Sequence, residues 1–141
     1  RRLTLTVAPT AHSDNDLTVY DHATGALFSG DLIFRGLTPV VDGSVRGWLD
    51  WLSDAPDPAP RIIVPGHGPV ASDWEQAVRA QRRFLEALVT ATRAELDAGV
   101  PMSQAAPNIG RAMEGQAEGW AAFPESVARD ATAVYKELEW E

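Results

Sequence analysis

Apolar and polar residues alternate over Leu3-Thr4-Leu5-Thr6-Val7, the period-two pattern of a strand with one buried face. Leu17 to Tyr20 is a second β-rich run. Asp21-His22-Ala23-Thr24-Gly25 is a turn cluster, and Ala26 to Ser29 returns from it, so residues 17 to 29 predict a hairpin ended by Gly30 and Asp31. The period then changes. Val45, Trp48, Leu49 and Leu52 repeat at helical spacing behind Ser44, a good N-cap, and the Pro-rich stretch from Ala55 to Pro60 stops that helix. Arg61 to Val64 is a short apolar strand ended by Pro65-Gly66-His67-Gly68-Pro69, where prolines and glycines forbid regular structure on either side of the histidine.

From Ser72 onward the pattern is helical. Ser72 and Glu75 form a capping-box pattern, and a mainly apolar stripe through Trp74, Val78, Gln81, Leu85, Leu88, Val89, Thr92 and Leu96 runs to the stop signal at Gly99 and Pro101. Residues 102 to 120 hold a weaker pattern broken by Pro107, Gly110, Gly115 and Gly119. A last helix opens at Pro124 and places Val127, Ala131, Val134, Tyr135 and Leu138 on one side. The expected class is α/β: a strand-rich segment over residues 1–71 and a helical segment over residues 72–141 of the same domain.

Composition narrows the function classes. At 141 residues, 45% hydrophobic, the chain can bury one core but not two ordinary ones. Its formal charge of −8 repels a phosphate backbone, and the basic residues form no cluster, which argues against a nucleic-acid partner. No apolar run approaches the roughly 18 residues of a membrane span, so no membrane partner is expected. Without cysteine there is no thiolate ligand or nucleophile, and chemistry must rest on histidines, carboxylates or hydroxyls. The opening, Arg1 leading straight into a strand, has the look of a chain entered partway through a domain.

Three histidines occur, and their settings differ. His22 lies in the hairpin turn, where solvation is its expected role. His12 lies just beyond the strand ending near Val7, in Pro9-Thr10-Ala11-His12-Ser13-Asp14-Asn15-Asp16, where a loop can aim the imidazole across strand ends. The plainer reading is a polar turn. Asp14 or Asp16 could accept the second ring N–H of a ligating His12. Asp31 follows a strand with apolar residues on both sides, a costly place for a carboxylate unless it is paired, hydrogen-bonded or bound to a cation. His67 is the only functional side chain in its Pro-Gly-His-Gly-Pro turn. A His, an Asp and a His at three strand ends make a ligand set suited to zinc, iron or manganese.

Those residues carry a resemblance. Ala11-His12-Ser13-Asp14-Asn15-Asp16-Leu17, Phe28-Ser29-Gly30-Asp31 and Pro65-Gly66-His67-Gly68 resemble, in order, the third, fourth and fifth metal-binding motifs of the metallo-β-lactamase superfamily, with compatible separations of 19 and 36 residues. Asp31 to Gly36, Asp42 to Trp48 and Glu137 to Glu141 are most similar to the zinc metallohydrolases associated with quinoprotein relay and sulfur-oxidation gene clusters, which suggests a periplasmic setting.

The resemblance implies the C-terminal half of an αβ/βα sandwich with additional C-terminal helices. It implies that His12 ligates a first metal, that Asp31 bridges two metals as the catalytic carboxylate, and that His67 ligates the second. The cofactor is then zinc, two ions in the intact protein, with iron or manganese as other candidates. The implied activity is hydrolysis of a small-molecule substrate by a zinc-activated water. The superfamily's His-x-His-x-Asp-His motif is not in this sequence. The N-terminal half is therefore expected to be missing, this piece alone to be inactive, and its partner to be that half or a second copy. Two other functions compete: iron-dependent redox chemistry of the same superfamily, and a non-catalytic accessory role in a quinoprotein pathway. Arg35, soon after Asp31, is a candidate contact for an anionic substrate, against the plainer reading of a structural arginine.

Overall fold

The three opening strands pair in sequence order. In the computed structural model, which describes residues 1–141, β1 (Leu3–Val7), β2 (Leu17–Asp21) and β3 (Ala26–Phe34) form an antiparallel meander. The last strand, β4 (Ile62–His67), lies parallel to β3, giving the sheet order β1-β2-β3-β4. A parallel pair needs a crossover, and α1 (Val45–Ser53) supplies it. Asp21 fastens the β2–β3 hairpin by accepting hydrogen bonds from the Ala23 N–H and the Thr24 hydroxyl. The Arg1 guanidinium first, and the Thr24 hydroxyl next, hold the Asp21 carboxyl down at about 2.

Two strands run further than the sequence pattern indicates. Gly30 and Asp31 do not end β3; it continues to Phe34, absorbing a register shift at Gly30, whose φ of 53° is a backbone state that glycine adopts without strain. Likewise β4 runs through Pro65 and Gly66 to His67, because its parallel pairing with β3 tolerates a second irregularity there. The proline falls at a register shift, where a missing N–H disrupts least.

The helices that follow are α2 (Trp74–Asp97), α3 (Met102–Met113), a short 3₁₀ turn at Glu114–Gln116, and α4 (Phe123–Leu138). The N-cap of α2 is Asp73, which accepts the Gln76 N–H; Ser72 instead bonds the Gln76 side chain, and Glu75 pairs with Arg82, so the capping box expected at Ser72 and Glu75 is not formed. The weak pattern after residue 102 is a continuous helix through Pro107 and Gly110. Pro107 falls in the second turn, and burial of Ala105, Ile109 and Met113 outweighs the poor local propensity.

All four helices contribute to one core. Leu27, Leu32, Ile33, Phe34 and Ile63 from the sheet meet Trp48 and Leu52 of α1, Leu85 and Leu88 of α2, Ile109 of α3 and Val134 of α4. Full burial of each such side chain contributes roughly 1.5–3 kcal/mol. The other face of the sheet is bare. The strand pairing puts Leu3, Leu5, Val7, Leu17, Phe28 and Ile62 on one face, and all six are exposed.

Candidate metal centre

Each candidate side chain is carried on a different piece of backbone. His12 sits in the loop between β1 and β2, which is tied internally: Asp16 accepts from both the backbone N–H and the hydroxyl of Ser13, at 2.8 and 2.7 Å. The segment before α1 clamps the loop from outside, since Asp42 N–H donates to the His12 carbonyl and Ser44 N–H to that of Ala11. The approach is close enough that a Cβ on Gly43 would lie 2.5 Å from the Ala11 carbonyl oxygen. Asp31 lies on β3 and His67 ends β4, one strand over.

These three side chains meet at Asp31. His12 Nε2 lies 3.7 Å from Asp31 Oδ2, and His67 Nε2 lies 3.3 Å from Asp31 Oδ1. The carboxylate thus offers a different oxygen to each imidazole. His12 is the more enclosed ring, with side-chain exposure of 14% against 42% for His67 and 46% for Asp31. Trp48 and Phe34 pack against His12 at ring separations of 5.4 and 5.6 Å, and Phe34 stacks on His67 at 4.7 Å. Gly66 makes room for the arrangement, for a Cβ there would lie 2.4 Å from Asp31 Oδ1.

The orientation of His12 is set by its other nitrogen. Nδ1 lies 2.7 Å from the Val40 carbonyl oxygen. A carbonyl only accepts, so Nδ1 carries a proton, and Nε2, facing Asp31, is the nitrogen left to ligate. The carboxylates Asp14 and Asp16, expected as partners for this N–H, do not fill that place: Asp16 is occupied by Ser13, and a main-chain carbonyl from 28 residues away does the work.

The donors suit a borderline divalent cation. Two ligands each about 2.0–2.1 Å from a tetrahedral zinc lie about 3.3 Å apart, the separation seen between His67 and Asp31. They are arranged in pairs around the carboxylate, and no three or more His, Asp or Glu side chains of this chain are grouped so as to hold a metal ion by themselves. One imidazole faces each oxygen of the Asp31 carboxylate.

An open cleft of about 520 Å³ lies beside these residues, lined by His12, Ser13, Asn15, Asp16, Ser29 and Asp31 among others. A second cleft of about 500 Å³, between α3 and α4 at Ala106, Gly110, Phe123 and Val127, contains none of the three. Of the remaining candidates, His22 lies away from them on its turn, between Arg2 and Thr4, whose side chains reach its ring nitrogens at 2.9 and 2.8 Å. Arg35 donates to the carbonyls of Pro69 and Val70, at 2.7 and 3.0 Å, and so fastens the loop after β4.

Residues 1–67 match the family model described as the metallo-beta-lactamase superfamily. No curated protein is significantly similar to the chain. A metallo-beta-lactamase family protein of Thermus thermophilus shares the fold with a TM-score of 0.69 at 20% identity, over 99% of this chain and 44% of that one. A double mutant of the sec-alkyl sulfatase PisA1 does so with a TM-score of 0.70 at 13% identity, over 99% of this chain and 24% of that one. The chain therefore spans less than half the length of either solved structure, and the likeness to both is one of fold. Residues 1–67 are thus similar to the metallo-β-lactamase superfamily, and the whole chain shares its fold with these two solved structures.

Proposed function

We propose that this chain supplies the C-terminal part of the active centre of a metal-dependent hydrolase, with His12, Asp31 and His67 as ligands and Asp31 as the bridge between two zinc ions. The observation that carries the reading is the Asp31 carboxylate, one oxygen toward each imidazole. A zinc ion held there would lower the pKa of water toward about 7 and polarise a scissile ester or amide oxygen. The chain's own residues do the holding: the Val40 carbonyl fixes the His12 tautomer, Phe34 and Trp48 keep the rings in place, and the open cleft beside Ser13 and Asn15 admits a small-molecule substrate.

The likeness of Asp31 to Gly36 and of the Glu137 to Glu141 ending to quinoprotein-relay and sulfur-oxidation metallohydrolases supports a role in such a pathway. The sulfatase among the structural neighbours makes sulfate esters a reasonable first substrate class to assay. The remaining ligands would come from an N-terminal half of the domain or from a second copy of the chain, and without them the piece would be inactive.

The test is made on the whole protein. Asp31→Ala should lose metal and hydrolysis together, while His22→Ala leaves both near wild type. Equal metal content in Asp31→Ala and wild type rejects the bridging role, and stoichiometric iron with oxygen consumption replaces hydrolysis by redox chemistry.

A further inference from the structure

Asp130, on α4, is fully buried among apolar residues, and it is the one acid so placed that neither a guanidinium nor a hydroxyl meets. Its Oδ1 accepts the Val41 N–H at 2.9 Å, and its Oδ2 has no partner. The nearest charged groups, Arg129 on the same helix and Asp42 on the facing loop, pair with each other at 3.0 Å on the exposed side.

The Val41 N–H belongs to the same peptide group as the Val40 carbonyl, and that carbonyl receives the His12 Nδ1–H at 2.7 Å. The geometry points to Asp130 as a positioning residue for His12, acting through the Val40–Val41 peptide: the carboxyl holds one end of the peptide dipole, and the other end holds the imidazole with Nε2 toward Asp31. The peptide cannot rotate without breaking both bonds. A carboxyl at its N–H also strengthens its carbonyl as an acceptor, because hydrogen bonds in a chain polarise one another. Outer partners of this kind orient a ligand ring and tune its basicity.

The inference rests on His12 being a metal ligand, but its first readout does not require metal. In the metal-free whole protein, long-range ¹H–¹⁵N spectra of the imidazoles report which ring nitrogen carries the proton. Wild type should show His12 protonated at Nδ1. Asp130→Leu removes the acceptor, and His12 should then populate both tautomers while His67 is unchanged; zinc affinity, measured by chelator competition, should fall about 10–100-fold. Asp130→Asn retains an acceptor oxygen and should restore the tautomer and bring zinc affinity back to within about threefold, since most of the effect of an outer partner lies in orienting the ring. Circular dichroism checks that the leucine variant folds, and Asp130→Ala is read in the same way if it does not.

An unchanged His12 tautomer in the leucine or alanine variant overturns the proposal, as does equal disturbance of His67, which marks general loosening. The two readings fail separately. If Asp31→Ala retains zinc, the metal centre is wrong and the tautomer still judges Asp130; if Asp31→Ala loses zinc while the tautomer ignores position 130, only the role of Asp130 is lost.

Discussion

An imidazole ligates through the nitrogen that bears no proton, so whatever holds the other nitrogen decides whether a histidine is ready to bind. For His12 that holder is the Val40 carbonyl; for Asp31 the corresponding control is steric, through Gly66. Gly66→Ala should push a methyl group to within 2.4 Å of Asp31 Oδ1 and displace the carboxylate. Zinc affinity of the whole protein is expected to fall at least about tenfold, as for other disturbances of ligand support, with secondary structure retained by circular dichroism. Affinity equal to wild type would mean that Asp31 can leave its place without consequence. The three side chains that meet at Asp31 are legible in the sequence, since His12, Asp31 and His67 each stand beside a turn or glycine signal. Their supports are not. Val40 lies 28 residues along the chain from His12 and Asp130 lies 89 from Val41, and neither sits in a pattern with a period.

Between elements, the sheet is fastened to its helices by a few buried polar side chains. Gln81, on α2, accepts the Phe34 N–H at 2.7 Å and donates to the Leu32 carbonyl at 3.1 Å, and the Trp48 indole donates to that same carbonyl at 2.8 Å. Along the sequence, Gln81 interrupts an apolar stripe, and nothing local shows that it is matched to the irregular end of β3. Gln81→Leu should leave the Phe34 N–H buried without a partner, costing about 1–3 kcal/mol in urea unfolding; a loss well under 1 kcal/mol would show that water or a backbone shift replaces the amide. The end of β3 departs from the sequence pattern for a related reason: Gly30 and Asp31 carry a turn signature, yet pairing with β4 and the hold of Gln81 extend the strand to Phe34.

Asp130 makes the corresponding link from α4, and burial pushes its carboxyl up to about 7 from an ordinary 3.8, against the opposing pull of the Val41 N–H and Arg129. The folded state therefore holds a proton that the unfolded chain releases near pH 4. Its contribution to stability is complete below that pH and is lost as pH rises through about 7, on the order of 4 kcal/mol at most. Asp130→Asn should flatten that decline between pH 4 and 7. An identical slope in wild type and variant, from denaturation midpoints across the range, would assign the decline to other groups.

At the scale of the whole molecule, the helices cover one face of the sheet and leave the other to solvent. Leu5, Val7 and Phe28 are 66, 77 and 46% exposed, and β1 also offers an unpaired edge. Contiguous apolar surface of this kind marks an interface, and an open strand edge is a template for pairing. The pattern of alternation assigns the strands a buried face; what the sequence does not convey is that β1 turns its leucines away from this chain's own helices, because the choice of face depends on where α1 and α2 pack. The surface we propose to cover Leu5, Val7 and Phe28 is either the rest of a domain, since the solved structures sharing the fold are more than twice as long, or a second copy. Expressed as these 141 residues, the chain should self-associate, and sedimentation should show mass rising with concentration. Substituting Leu5→Lys and Val7→Thr together should shift it toward monomer while changing the unfolding midpoint little, since neither side chain contributes to the core. Zinc titration of the same samples adds the second arm: with ligands on only one side of each ion, binding should be at least about 10–100-fold weaker than in the whole protein. A wild-type chain that sediments as a monomer at every concentration and binds zinc as tightly as the whole protein would mean that neither the bare face nor the open side of Asp31 needs anything from outside.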